Sequence, residues 1–234
     1  MMDAIRDMFY HNDRDHKDYA NSGEWAHDNS FIKVAHEPLL FLANFDDIYQ
    51  INILREPVDC ISSQVFKSAY GFGGSTIVGR PEIVDGNMEF FRTKKNEFLE
   101  ESMYQESKMW MGYTYGATKN IEKVIPFTFE QVTQKPAEVL EAIRDIVNSN
   151  DPTRLRDREY FDHWLDEIRK HHQNDINFTS GAANGIPTEK PEEFSWVKEA
   201  VESYRLMPEM KQAYQVALDT FKARQQELGI NIEV

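Results

Sequence analysis

Arg55 and Ser63 stand eight residues apart in Arg55-Glu56-Pro57-Val58-Asp59-Cys60-Ile61-Ser62-Ser63. A guanidinium fork at the end of a strand, with a hydroxyl two turns into the next helix, suits a phosphate group. The amides of that helix's first turn would add to the cradle. The same residues also fit a structural arrangement, in which Arg55 pairs with Asp59 and Ser63 is merely half-buried. The other chemistry-bearing types are more scattered. Glu130 follows an apolar run and could act as an acid or base, or cap or ion-pair the next helix. His163 and His171-His172 lie on a charged helical stretch without a His-x-x-x-His pair, so no metal ligand set is expected. Cys60 is the only cysteine, which excludes an internal disulfide and a cysteine-based zinc site.

The elements that must position these groups can be read from period and punctuation. Phe31-Ile32-Lys33-Val34-Ala35 and Tyr49-Gln50-Ile51-Asn52-Ile53-Leu54 read as strands, and Val124-Ile125-Pro126-Phe127-Thr128-Phe129 as a third. Pro126 implies an edge position or a start one residue later. Pro57 and the spacing of Val58, Ile61, Val65 and Ala69 predict a helix over 57–69. Tyr70 to Asn87 holds five glycines and reads as a long loop. Helical spacing returns over 88–111. Pro136 opens a helix with Val139, Leu140, Ile143 and Ile146 on one side, and further helices are expected over 153–173, 193–206 and 208–228. Strands alternating with helices predict an α/β domain with a three-layer arrangement, a parallel sheet flanked by helices. Ligands on such sheets sit at the carboxyl ends of the strands. The expected organisation is a single domain over 1–234: an irregular 1–30, an α/β core over 31–147 and a helical part over 148–234.

Lys and Arg number 26 against 40 Asp and Glu, a formal net charge of −14. That excess works against binding nucleic acid or anionic membranes. The longest apolar stretch, Pro38–Phe45, is far too short to span a bilayer, and residues 1–18 have no signal-peptide pattern. A cytoplasmic location is expected.

Four segments, in order, carry a family resemblance. R-x-P-x-D-x-x-x-S, formed here by Arg55, Pro57, Asp59 and Ser63, resembles the 3′-phosphate-binding segment of sulfotransferases that use 3′-phosphoadenosine-5′-phosphosulfate (PAPS). Lys33-Val34-Ala35-His36-Glu37-Pro38-Leu39 resembles the family's K-x-H-x-P-L segment, with one residue more between Lys33 and His36. Tyr104 to Trp110 is loosely similar to its Tyr-x-x-His-x-x-x-Trp helix. Phe127-Thr128-Phe129-Glu130-Gln131-Val132, with Pro136 after it, resembles its F-x-Y-E-D-L…P strand and helix start. The resemblance implies a P-loop-like sulfotransferase fold and sulfuryl transfer from PAPS to a hydroxyl or amine of a small-molecule or glycan acceptor. It implies that Arg55 and Ser63 hold the 3′-phosphate, that His36 takes the acceptor proton, and that Lys33 neutralises charge on the transferring group. A near-neutral imidazole suits that role; a strand-end histidine bonded to backbone is the alternative for His36. Tyr70 and Phe72 would line the acceptor pocket.

The family's glycine-rich 5′-phosphosulfate loop, expected upstream of Lys33, has no counterpart: residues 1–30 hold one glycine, Gly23. Gly71-Phe72-Gly73-Gly74 follows a helix rather than a strand and does not replace it. Either the chain is shortened at that end, or the fold persists as a non-catalytic binding or assembly module. In the family that loop's strand lies between those corresponding to 31–35 and 49–54. Three arrangements would close the gap: direct pairing of the two strands, insertion of Ile230–Val234, or a strand from a partner chain in a homo-oligomer.

Overall fold

A computed structural model describes residues 50–69, 88–150, 158–173 and 191–234. The strand expected over 31–35, the loop over 70–87, and Lys33, His36, Tyr70 and Phe72 lie outside the described residues. The elements, in order, are β1 (Gln50–Leu54), α1 (Pro57–Ala69), α2 (Met88–Thr93), α3 (Lys95–Lys119), β2 (Val124–Thr128), α4 (Phe129–Gln134), α5 (Pro136–Asn150), α6 (Arg158–Gln173), α7 (Val197–Glu202) and α8 (Met207–Glu227).

The described residues are mostly helical and hold one sheet of two strands, so they do not form the expected three-layer α/β sheet of a sulfotransferase fold. β1 pairs in parallel with β2, from Gln50 opposite Val124 to Leu54 opposite Thr128. Beyond β2 the sheet is closed. Pro126 has no N–H to offer a further strand, and its carbonyl accepts a hydrogen bond from Gln225 Nε2 of α8 at 2.9 Å. Ile230–Val234, one of the candidates to fill a gap, forms no strand.

α1 and α5 form where period and proline place them. Val58, Ile61, Val65 and Ala69 of α1 are buried, as are Val139, Leu140, Ile143 and Ile146 of α5. Two cores result. Leu54 and α1 pack with α3, α7 and α8, around Phe98, Trp110, Val201, Met210 and Phe221. Ile125 and Phe127 of β2 pack with α5, α6 and Ile230. Alternation along the strands puts Ile51 and Ile53, which face Ile125 and Phe127 in the register, on that second side. Ile53 remains 42% exposed there.

The helical stretch expected over 88–111 is two helices that break at Lys94, and the second runs on to Lys119. Of 193–206, only Val197–Glu202 is α-helical, after a 3₁₀ turn at Glu192–Phe194. α8 stops at a left-handed Gly229, with φ of 73°. Ile230 N–H donates to Gln225 O at 2.8 Å and Gly229 N–H to Gln226 O at 3.2 Å, the paired bonds of a glycine-terminated helix. This turn sends Ile230 into the second core, and that exit direction was not legible in the sequence.

Candidate anion site at the carboxyl end of the sheet

The register that ends at Leu54 and Thr128 sets the next residues, Arg55 and Phe129, side by side. The Arg55 guanidinium lies 4.2 Å from the centre of the Phe129 ring. A cation over an aromatic face contributes about 0.5–2 kcal/mol, more as water is excluded. Trp110 Nε1 donates to Arg55 O at 3.0 Å, which ties the backbone here to α3. Phe129 is already helical: β2 ends one residue earlier than expected because Thr128 caps α4. Gln131 N–H donates to Thr128 Oγ1 at 3.2 Å, and Thr128 N–H donates to Gln131 Oε1 at 2.9 Å.

Arg55 does not make the structural pair with Asp59 that its sequence neighbourhood allows. Asp59 bonds instead to Lys198 Nζ of α7 at 2.7 Å, an exposed pair of small energetic weight. The Nε of Arg55 is buried and has no hydrogen-bond partner among the described residues. An unmet buried donor costs about 1–3 kcal/mol, so this group is placed for an acceptor that the described residues do not provide.

The first turn of α1 contributes less than expected. Pro57 has no N–H, and Asp59 N–H is taken by the Glu56 carboxylate at 2.9 Å. That carboxylate occupies the positive end of the helix and opposes an anion there. The side chains of α1 therefore carry the site. Cys60, Ser63 and Lys67 recur at intervals of three and four, on one stripe of the helix. Lys67 was missed in the sequence because it lies outside the R-x-P-x-D-x-x-x-S pattern; its helical spacing from Ser63 was the available signal.

The electrostatics bring Arg55 to this stripe. Burial, then the like charge of Arg55, lowers the Lys67 pKa from its usual value, and Glu106 of α3 partly offsets this. Burial pushes the Cys60 thiol up to about 11, with Arg55 and Lys67 opposing the rise and Glu106 and Glu56 adding to it. A thiol held protonated in this way is no nucleophile at neutral pH. Glu106 is itself 6% exposed. Arg55, Lys67 and the buried Glu106 are thus close enough to act on one another and on Cys60, on the helix that also carries Ser63. Tyr214 of α8 packs against the first core, its phenol pKa raised by burial and then by Glu130 and Glu56. Glu130 sits in the first turn of α4.

Arg55 and Ser63 are therefore both described at the carboxyl end of β1 and on the helix that follows. His163 is exposed, and no metal-holding cluster of His, Cys, Asp or Glu occurs among the described residues. No described helix is long and apolar enough to cross a membrane. No protein-family model, curated protein or solved structure matches this chain.

Proposed function

We propose that the carboxyl end of the two-stranded sheet binds the 3′-phosphate of an adenosine 3′,5′-bisphosphate moiety, and that the chain is a PAPS-using, sulfotransferase-like protein. The observation that supports the anion reading is the buried, unpartnered Nε of Arg55, held over Phe129 beside the Ser63–Lys67 stripe. The identity of the nucleotide rests on the resemblance of the four segments alone. In this reading Arg55 and Ser63 hold the phosphate, and Lys67 adds positive charge. PAPS supplies an activated sulfuryl group, whose in-line transfer needs positioning and charge neutralisation more than covalent catalysis. His36 takes the proton of a small-molecule or glycan hydroxyl or amine, Lys33 offsets charge on the transferring group, and Tyr70 and Phe72 line the acceptor.

A specific observation favours a second reading, a binding module without turnover. Neither described strand is followed by a glycine-rich turn: β1 runs through Arg55-Glu56 into α1, and β2 runs directly into α4. Calorimetry with adenosine 3′,5′-bisphosphate, paired with a sulfuryl-transfer assay from labelled PAPS, separates the readings. Binding with turnover supports the enzyme, and His36→Ala then lowers the rate by about 10²–10⁴-fold at unchanged nucleotide affinity. Binding without turnover selects the module. Absence of binding overturns both.

A further inference from the structure

Gln131 is 5% exposed, lies on neither strand, and has every hydrogen-bonding group of its side-chain amide engaged. Its Oε1 accepts from Thr128 N–H at 2.9 Å and from Gln225 Nε2 at 2.8 Å. Its Nε2 donates to Ile232 O at 2.9 Å and to Gln225 Oε1 at 3.4 Å. Gln225 Nε2 also donates to Pro126 O at 2.9 Å, in the middle of β2. The buried amides of Gln131 and Gln225 therefore join the start of α4, the end of α8, the edge of β2 and the segment after Gly229. Phe129, the platform for the Arg55 guanidinium, lies between the two residues of this cap, Thr128 and Gln131.

We infer that Gln131 is a positioning residue of the anion site: by closing the cap with Thr128 it fixes the first turn of α4, and with it the Phe129 ring under the Arg55 guanidinium. The physical reason is local. Thr128 Oγ1 accepts from a first-turn amide, Gln131 N–H, and Gln131 Oε1 in return accepts from Thr128 N–H; without the Gln131 side chain the Thr128 amide loses this partner, and the residue that caps the turn is held less firmly. Fraying at Thr128–Gln131 moves Phe129 directly, whereas Arg55 stays tied to α3 through Trp110. The stack then opens from the aromatic side. The affinity arm of the test rests on the anion-binding reading above; the spectroscopic arm needs no ligand, so the two failures are distinguishable.

The test reads the Arg55 Nε–Hε resonance by proton–nitrogen correlation NMR, assigned by its loss in Arg55→Lys. Ring current from Phe129 displaces this resonance, and Phe129→Leu gives its position without the ring. Gln131→Ala is expected to move it to that position and to weaken adenosine 3′,5′-bisphosphate binding roughly 2- to 30-fold. Gln131→Glu keeps an acceptor for Thr128 N–H and Gln225 Nε2 but cannot donate to Ile232 O or Gln225 Oε1, so it is expected to leave the resonance displaced. A folded Gln131→Ala protein with the Arg55 resonance unmoved overturns the inference. So does a Gln131→Glu protein that loses the displacement as fully as Ala, because the bonds donated to Ile232 O and Gln225 Oε1, rather than the cap, would then hold the ring. Should Gln131→Ala not fold, Thr128→Ala, which removes the other half of the cap at a half-buried position, decides in the same way. Movement toward the Phe129→Leu position supports the cap, and no movement overturns it.

Discussion

Arg55→Met keeps an unbranched stem over the Phe129 ring and removes only the guanidinium. Two terms set its effect on the free protein. The buried Nε, from which none of the described residues accepts, is relieved, worth about 1–3 kcal/mol, while the cation over Phe129 is lost at about 0.5–2 kcal/mol. The net lies between roughly 1 kcal/mol of destabilisation and 2.5 kcal/mol of stabilisation. For a chain of this size 1 kcal/mol moves Tm by about 2–4 °C. Because Arg55 is half-buried, the middle of the range applies, and Tm is expected to hold or rise by a few degrees. Binding behaves in the opposite sense. A charge-assisted bond to phosphate contributes about 1.5–3 kcal/mol, so adenosine 3′,5′-bisphosphate should bind roughly tenfold to a hundredfold more weakly. Thermal melts and calorimetry on the same preparations give both numbers. A fall in Tm of more than about 4 °C would mean that Arg55 is structural. Unchanged affinity would falsify its role toward the anion.

Other outcomes follow from the same geometry. Cys60, with its thiol pushed up to about 11, should react with a thiol reagent at pH 8 roughly a hundredfold more slowly than in the urea-unfolded chain; equal rates would mean that the thiol is not held protonated. Because that raised value favours the protonated folded form, about 2–3 kcal/mol of stability present below pH 9 should be lost between pH 9 and 11, and Cys60→Ala should flatten this part of a urea-midpoint profile. Lys67 has the opposite sign. Its folded pKa lies below 10.5, so its cost is full at neutral pH and is relieved as pH rises from the folded value toward 10.5; Lys67→Met should raise Tm at pH 7 while weakening nucleotide binding, and a lower Tm refutes the assignment. Ile143→Ala, at a fully buried position of α5 against β2, should cost about 2–5 kcal/mol by urea denaturation, and a cost under 1 kcal/mol would show that the second core is loosely packed.

Much of the local architecture was present in the sequence. Pro57 with Val58, Ile61, Val65 and Ala69 marks the start and inner face of α1, and Pro136 with Val139, Leu140, Ile143 and Ile146 does so for α5. Ile51 and Ile53 mark β1, and the proline inside β2 marks it as an edge. These features are set by neighbours three to four residues apart on a helix or two apart on a strand, which a single chain displays directly. The placement of Arg55 after a strand and of Ser63 on the next helix follows from the same rules.

The partners of those residues did not follow, because they come from distant parts of the chain. Asp59 looked available to Arg55, four residues away, but it bonds to Lys198, 139 residues away, once α7 packs on α1. Arg55 meets Phe129 only because β1 and β2 pair in parallel in one particular register. The extent of the sheet was misjudged for a related reason. Alternating strands and helices predict a wide parallel sheet, yet whether a strand gains a neighbour depends on what covers its edge. Gln225, 99 residues from Pro126, covers this one. Thr128 and Phe129 read as the end of a strand, yet Thr128 and Gln131 cap α4, and that the Gln131 amide also holds Gln225 and Ile232 depends on the turn at Gly229. By itself the sequence determined which residues stand at the carboxyl end of β1 and on which stripe of α1. The tertiary structure alone decided which of them are neutralised and that the Arg55 Nε is left without an acceptor among the described residues, because pairing across a hundred residues depends on how whole elements pack and leaves no period in the chain.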